Sequence, residues 1–174
     1  MSVTIRASGA GDEHAIDALH ARCLPDLFAG LLGDYVAPLE QRIERARGWA
    51  GPIGSPHPRH ELLVAERARR LIGFAAVGPT RDAGEDTATT GELRVIIVDA
   101  GERGTGVGAA LIGAGERAMR EAGLSAATLW VIPANARAVR CYERCGWRAD
   151  GAEKRIEVGG RSLRAIRYGK RLTR

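Results

Sequence analysis

Apolar positions along the chain follow two rhythms, one near two residues and one near three and a half, and their alternation marks out the elements. Val3 to Ala7 reads as a short first strand. A helical stretch then runs from Gly11-Asp12 to about Cys23, with Ile16, Leu19 and Cys23 at helical spacing and Asp12 placed to cap it. Pro25 to Val36 is apolar but broken by glycines, and a second helix is predicted from about Pro38 to Trp49. Gly51 to Pro58, with three prolines and two glycines, is a loop. A strand pair follows, His60–Arg67 and Leu71–Gly78, around Ala68-Arg69-Arg70.

The second half is more sharply patterned. Thr80 to Gly91 is polar and acidic and reads as a mobile loop. Glu92 to Val98 is the strongest strand signal, β-branched and apolar toward its end. A glycine-rich turn, Arg103 to Gly108, leads into a helix whose apolar face is Val107, Ala110, Leu111, Ala114 and Ala118, closed by Gly123. Ala126–Ile132 is a further strand. Pro133-Ala134-Asn135 opens a helix through Cys145 that Gly146 ends, and Glu153–Val158 with Ser162–Tyr168 forms a hairpin over Gly159-Gly160. The order predicts a mixed α+β fold with one βαβ unit near its centre, in a single domain over residues 1–174.

Composition narrows the function classes. Of 26 basic residues only Lys154 and Lys170 are lysine, and the net charge is +5. The positive charge fits either a solvated arginine surface or an anionic ligand with several phosphates. Basic residues alternate with acids and no stripe is interleaved with aromatics, so nucleic acid is not expected as a partner. No apolar run reaches the ~18 residues of a membrane span, and the first residues carry no signal-like apolar stretch, so a cytoplasmic location is expected. Cys23, Cys141 and Cys145 read as small buried hydrophobes. Histidines and cysteines lack metal-ligand spacing, and no metal is expected.

The turn Arg103-Gly104-Thr105-Gly106-Val107-Gly108 is where chemistry concentrates. A strand ends, glycines remove the bulk of Cβ, and a helix begins with unpaired N–H groups and the positive end of its dipole. That is a cradle for phosphates, to which Arg103 adds charge-assisted hydrogen bonds; it also fits a tight strand-to-helix turn with no ligand. A P-loop would need a Gly-Lys-Ser/Thr ending, and no lysine is present. A dinucleotide fold would need Gly-x-Gly-x-x-Gly and an acid about twenty residues on, where Leu124 stands.

Arg103, Gly106 and Gly108 match an Arg/Gln-x-x-Gly-x-Gly/Ala pattern. About thirty residues on, Leu129 to Ala138 and Cys141-Tyr142-Glu143-Arg144-Cys145-Gly146-Trp147 carry an asparagine and a Tyr-Glu-x-x-Gly-aromatic ending. Together these resemble the core of the GNAT family of N-acetyltransferases. The likeness is firm over about Leu62–Tyr168 and weak before it. Ala100 stands where proline is frequent and Pro133 where an acid is common. Trp130 replaces the glutamate of the ribosomal-protein type, which argues against a ribosomal-protein acceptor; Trp130 and Trp147 both read as core, with Trp147 closing the helix end.

The resemblance implies a mostly antiparallel sheet splayed between two parallel central strands and flanked by helices. It implies acetyl-CoA as donor, a primary amine as acceptor, and a monomer or homodimer. By the same likeness, main-chain groups of Ile96 and Val98 hold the pantetheine arm, and the amides over Arg103, Gly104, Thr105, Gly106, Val107, Gly108 and Ala109 hold the pyrophosphate. Asn135 contacts the pantetheine, Tyr142 protonates the leaving thiolate, and Glu92 is the candidate general base, though Glu92 also fits a surface carboxylate or substrate-orienting group. The acceptor is expected to be a small molecule, with an antibiotic, a polyamine and a protein N-terminus all open, and its mouth is expected to be bordered by Pro25–Val36 and Thr80–Gly91. Asp26, Asp34, Asp82, Glu85 and Asp86 fit either attraction of a cationic amine or solvated loop charge. A non-catalytic acyl-CoA-binding domain on the same fold is the alternative.

Overall fold

The computed structural model describes residues 2–27, 59–158 and 160–173. The expected helix Pro38–Trp49, the loop Gly51–Pro58 and most of the segment Pro25–Val36 lie outside them. The elements are β1 (Thr4–Ala7), α1 (Glu13–Leu27), β2 (Glu61–Arg67), β3 (Arg70–Pro79), β4 (Thr90–Val98), α2 (Val107–Glu121), β5 (Ala126–Val131), α3 (Ala136–Arg144), β6 (Arg148–Val158) and β7 (Arg161–Arg171). A single 3-10 turn, Ala100–Glu102, joins β4 to the glycine turn. The fold is mixed α/β around one sheet.

The sheet has seven strands in the order β1-β2-β3-β4-β5-β7-β6. All neighbours are antiparallel except β4 and β5, which run parallel. Alternation along the strands divides the core in two. Leu62, Val64, Phe74 and Ile97 pack with Ile16, Leu19 and Cys23 of α1 on one face. Leu63, Ala75, Val77, Leu93, Leu129 and Val131 face α2 on the other. Helix α2 lies close against β4, where a side chain on Gly91 would meet Met119 Sδ at 2.5 Å. Its buried face is Val107, Leu111, Ile112, Ala114, Gly115, Glu116 and Met119. Ala110, expected inside, is exposed instead.

Both site helices end the same way. Gly123, with φ 83°, follows α2, and Leu124 N donates to Met119 O at 3.0 Å. Gly146, with φ 86°, follows α3, and Trp147 N donates to Tyr142 O at 3.0 Å. These are Schellman closures in which a left-handed glycine satisfies the last carbonyls. The second inserts Trp147, fully buried, with its indole N–H on Glu116 at 2.9 Å. Lys170 neutralises the same carboxylate, both oxygens at 2.8 Å, and also donates to Cys145 O at 2.7 Å. A buried polar group is tolerated there because every partner is supplied. The network fixes α3 against α2 and β7.

Three expectations need correction. The Asp12 carboxylate does not cap α1; among the described residues it accepts from Arg6 and from Gly9 N, tying β1 to the loop before the helix. The C-terminal strands are longer than their apolar cores, and β7 inserts between β5 and β6. Trp130 is not core; it is half-buried, with its indole N–H 2.9 Å from both Asp82 oxygens.

Candidate active site

The parallel pair β4–β5 is joined over Thr90, Gly91 and Glu92 against Ala126, Ala127 and Thr128. Beyond Glu92 both strands continue, β4 to Val98 and β5 to Val131, without pairing to each other. A cleft opens between them.

Hydrogen-bond alternation decides which main-chain groups face it. Asp99 N donates to Ile72 O at 2.9 Å, and Gly73 lies opposite Val98. Asp99 and Ile97 therefore point at β3, and the N–H and C=O of Ile96 and Val98 point the other way, into the cleft. The Val98 carbonyl takes Arg103 Nε at 3.3 Å and Cys23 Sγ at 3.7 Å. Cys23, Ile96, Val98, Arg103, Gly108, Ile112, Asn135, Cys141 and Tyr142 all line this opening. Cys23 comes from the α1 face of the sheet and Tyr142 from the α2 face, so the opening passes through the sheet.

At one end the cleft meets the glycine turn. Gly104 has φ 80° and Gly106, the N-cap of α2, φ 92°. Side chains rarely adopt that left-handed conformation, so the turn demands glycine at both places. The first backbone bond into α2 is Ala110 N to Gly106 O at 3.0 Å. The amides of Val107, Gly108 and Ala109 precede it and form the open first turn. Gly104, Gly106, Gly108 and Ala109 line a groove with Arg103 and Arg144.

Paired charges hold the 3-10 turn that leads into the glycines. Ala68 and Arg69 form the β2–β3 turn in the left-handed conformation, with φ 50° and 62°. That turn sets Arg67 2.7 Å from Glu102 and Arg70 3.5 Å from Asp99. Arg22 of α1 reaches Asp99 at 2.8 Å. Burial alone would raise the Asp99 carboxyl, but the Arg22 hydrogen bond, the Gly101 amide and the Arg22 and Arg70 charges outweigh it and hold Asp99 below the usual carboxylate range.

Tyr142 lies on α3 and is only 7% exposed. Burial pushes its phenol well above the ordinary value, with the neighbouring Cys141 and Cys145 thiols adding to the shift. It is a protonated group at the cleft wall. Asn135 caps α3, its Oδ1 accepting from Ala138 N at 3.2 Å, and it also lines the cleft. Cys141 and Cys145 are half-buried rather than core, and Cys141 lines both the cleft and the groove.

Glu92 stands where the β4–β5 pairing ends. Its carboxylate is buried and doubly bound by Arg81, Nε to Oε2 at 2.9 Å and Nη2 to Oε1 at 2.7 Å. No motif or periodicity around Arg81 signals this clamp. The following loop residues are held as well. Asp82 takes Trp130 and Lys154, Glu85 takes Arg167 at 2.8 Å, and Lys154 Nζ lies 4.0 Å from the Trp130 ring centre. Asp86 accepts from Ala88 N and Thr89 within its own turn. Of the acids that fitted a cationic amine, Asp82, Glu85 and Asp86 are thus occupied internally; Asp34 and the Asp26 side chain lie outside what is described.

A sheet split between two parallel strands, with open helix amides at one end of the split, is an opening suited to an extended ligand that carries phosphates. The chain belongs to the Acetyltransferase (GNAT) family, which it matches over residues 24–147. It is 35% identical over 167 residues to a mycothiol acetyltransferase of Parafrankia sp. (strain EAN1pec), covering 87% of this chain and 48% of that one. It is 41% identical over 109 residues to a mycothiol acetyltransferase of Propionibacterium freudenreichii subsp. shermanii, covering 62% of this chain and 32% of that one. The chain thus spans about half or less of the length of these relatives. Among solved structures, an acetyltransferase of Salmonella typhimurium with acetyl-CoA superposes with TM-score 0.76 at 19% identity, over 100% of this chain and 96% of that one. Among the described residues no helix is long and apolar enough to cross a membrane. Among them, too, no group of three or more His, Cys, Asp and Glu side chains is placed to hold a metal.

Proposed function

We propose that the chain transfers the acetyl group of acetyl-CoA directly to the primary amine of a small molecule. The carrying observation is the unpaired stretch of β4, whose Ile96 and Val98 main-chain groups face a cleft continuous with the glycine turn. The pantetheine arm of acetyl-CoA carries amides, and an amide chain fits a strand edge that lacks a partner. Its diphosphate suits the amides from Arg103 to Ala109, where helix-dipole charge and the Arg103 guanidinium act together. The Asn135 side-chain N–H donors are available to the arm while Oδ1 caps the helix.

The chemistry follows from the same groups. The Val98 N–H points into the cleft and is suited to hold the oxyanion of the tetrahedral intermediate. Collapse of that intermediate releases a thiolate in a dry site, and the protonated Tyr142 donates to it. Desolvation raises the proton affinity of the phenolate and of the thiolate alike, so burial does not by itself defeat the transfer. The amine must reach the carbonyl neutral, and Glu92 is the carboxylate nearest in sequence and strand position to serve it, once Arg81 yields at least one of its oxygens.

Relatives named mycothiol acetyltransferase support a small-molecule acceptor. The clamp of Arg81 on Glu92 favours a second reading, a domain that binds acyl-CoA without turnover. Thiol release from acetyl-CoA, measured over a panel of amines that includes deacetylated mycothiol, separates the two. Release that depends on one amine supports the transferase; tight acetyl-CoA binding with no release for any amine gives the second reading.

A further inference from the structure

We propose that the shallow concavity beside the groove, formed by Arg140, Arg144 and Arg148, is a phosphomonoester subsite. It takes the 3′-phosphate on the ribose of the carrier, so the chain distinguishes coenzyme A from its 3′-dephospho form. This rests on the reading of the glycine turn as the diphosphate cradle.

Arg144 is the hinge of the argument, because its side chain lines two depressions at once. On one side it walls the groove with Gly104, Gly106, Gly108 and Ala109. On the other it closes a concavity with Arg140, Glu143 and Arg148. A ligand whose diphosphate rests on the α2 amides thus has its next substituent beside Arg144.

The charge there is uncompensated. Among the described residues Arg140, Arg144 and Arg148 form no ion pair, whereas the arginines around the 3-10 turn each hold a carboxylate. Arg144 Nε donates to Arg140 O at 3.3 Å, which orients the guanidinium and leaves its Nη atoms uncommitted. Arg148 is steadied from one end, with Nη1 on Glu143 O at 3.0 Å and Trp147 O at 2.9 Å. The concavity also contains one carboxylate, Glu143, which accepts the Tyr168 hydroxyl at 3.1 Å. Three guanidinium groups against one carboxylate leave a net charge of two. A phosphomonoester carries roughly −1.5 to −2 at neutral pH and offers three acceptor oxygens, which suits that balance and the forked donors. Arg140 and Arg144 are four apart on a helix, an arrangement in which like charges repel, and a bound phosphate relieves it.

Calorimetric titration of the purified chain with coenzyme A and with 3′-dephospho-coenzyme A tests the assignment. The wild type should bind coenzyme A at least tenfold more tightly. In the double variant Arg140→Ala, Arg144→Ala that gap should fall below threefold, with coenzyme A losing more affinity than its dephospho form. The variant Arg140→Lys, Arg144→Lys, which keeps the charge, should keep most of the gap and controls for folding. Equal wild-type affinities for the two carriers would overturn the subsite while leaving the cradle intact. A double variant that loses both ligands equally would overturn it as well. A wild type that fails to discriminate yet binds single-stranded RNA with steep salt dependence would reassign the arginines to nucleic acid. Failure of both carriers to bind would remove the cradle and the subsite together.

Discussion

The two ends of the cleft are built on opposite principles. At the glycine turn the main chain is left open: first-turn amides precede the first helix hydrogen bond, two glycines sit at positive φ, and Arg144 beside them forms no ion pair among the described residues. Around Glu92 the side chains are mutually satisfied, with Arg81 on Glu92, Trp130 and Lys154 on Asp82, and Arg167 on Glu85 and Asp150. The open end needs only a ligand. The closed end must give up internal contacts to admit one, and those contacts set what an acceptor has to replace. On the proposed function the pre-organised end would serve the carrier and the self-paired end the amine, an arrangement suited to one fixed carrier and a selected acceptor.

Four substitutions test that contrast. Tyr142→Phe should act most strongly, lowering turnover about 10²- to 10³-fold while acetyl-CoA affinity shifts less than threefold. Because burial raises the phenol, the wild type should show no alkaline fall in turnover assignable to Tyr142 up to about pH 10. Equal activity of the variant would remove Tyr142 as the acid. Gly106→Val strikes the open end. A β-branched residue at φ 92° is strained, so coenzyme A affinity by titration should drop about 10- to 100-fold, with little change in KM for the amine. Arg81→Ala unlocks the closed end and should change KM for the amine by about two- to fivefold downward. Glu92→Gln combined with it should cancel that gain and flatten the alkaline-rising limb of the pH–rate profile. An unchanged limb would leave Glu92 as an orienting group rather than a base.

The open end was readable because its determinants are local. Left-handed glycines, a strand running into an amphipathic helix, and an asparagine cap all act within a few residues. Gly123 and Gly146 close their helices as the pattern required, and β2 to β5 begin and end within about two residues of expectation. The closed end was not readable, because its bonds join distant positions. Lys154 meets Asp82 across 72 residues, and Arg167 meets Glu85 across 82. No periodicity reports such pairs, and acids in a polar loop look the same whether solvated or bonded. Trp130 misled for a related reason. Its place in an apolar strand suggested core, while its face of the sheet carries the charged network. The insertion of β7 beside β5 is likewise a long-range choice, set by the cross-strand partners Leu129–Tyr168 and Val131–Ile166.

One consequence of the pierced sheet concerns traffic. Since α1 meets the gap from one side and α3 from the other, the proposed reaction would give thioester and amine separate doorways in place of a single shared entrance. Each would then load while its counterpart is seated, and the spent carrier would back out along its own corridor without crossing the path of the acylated product.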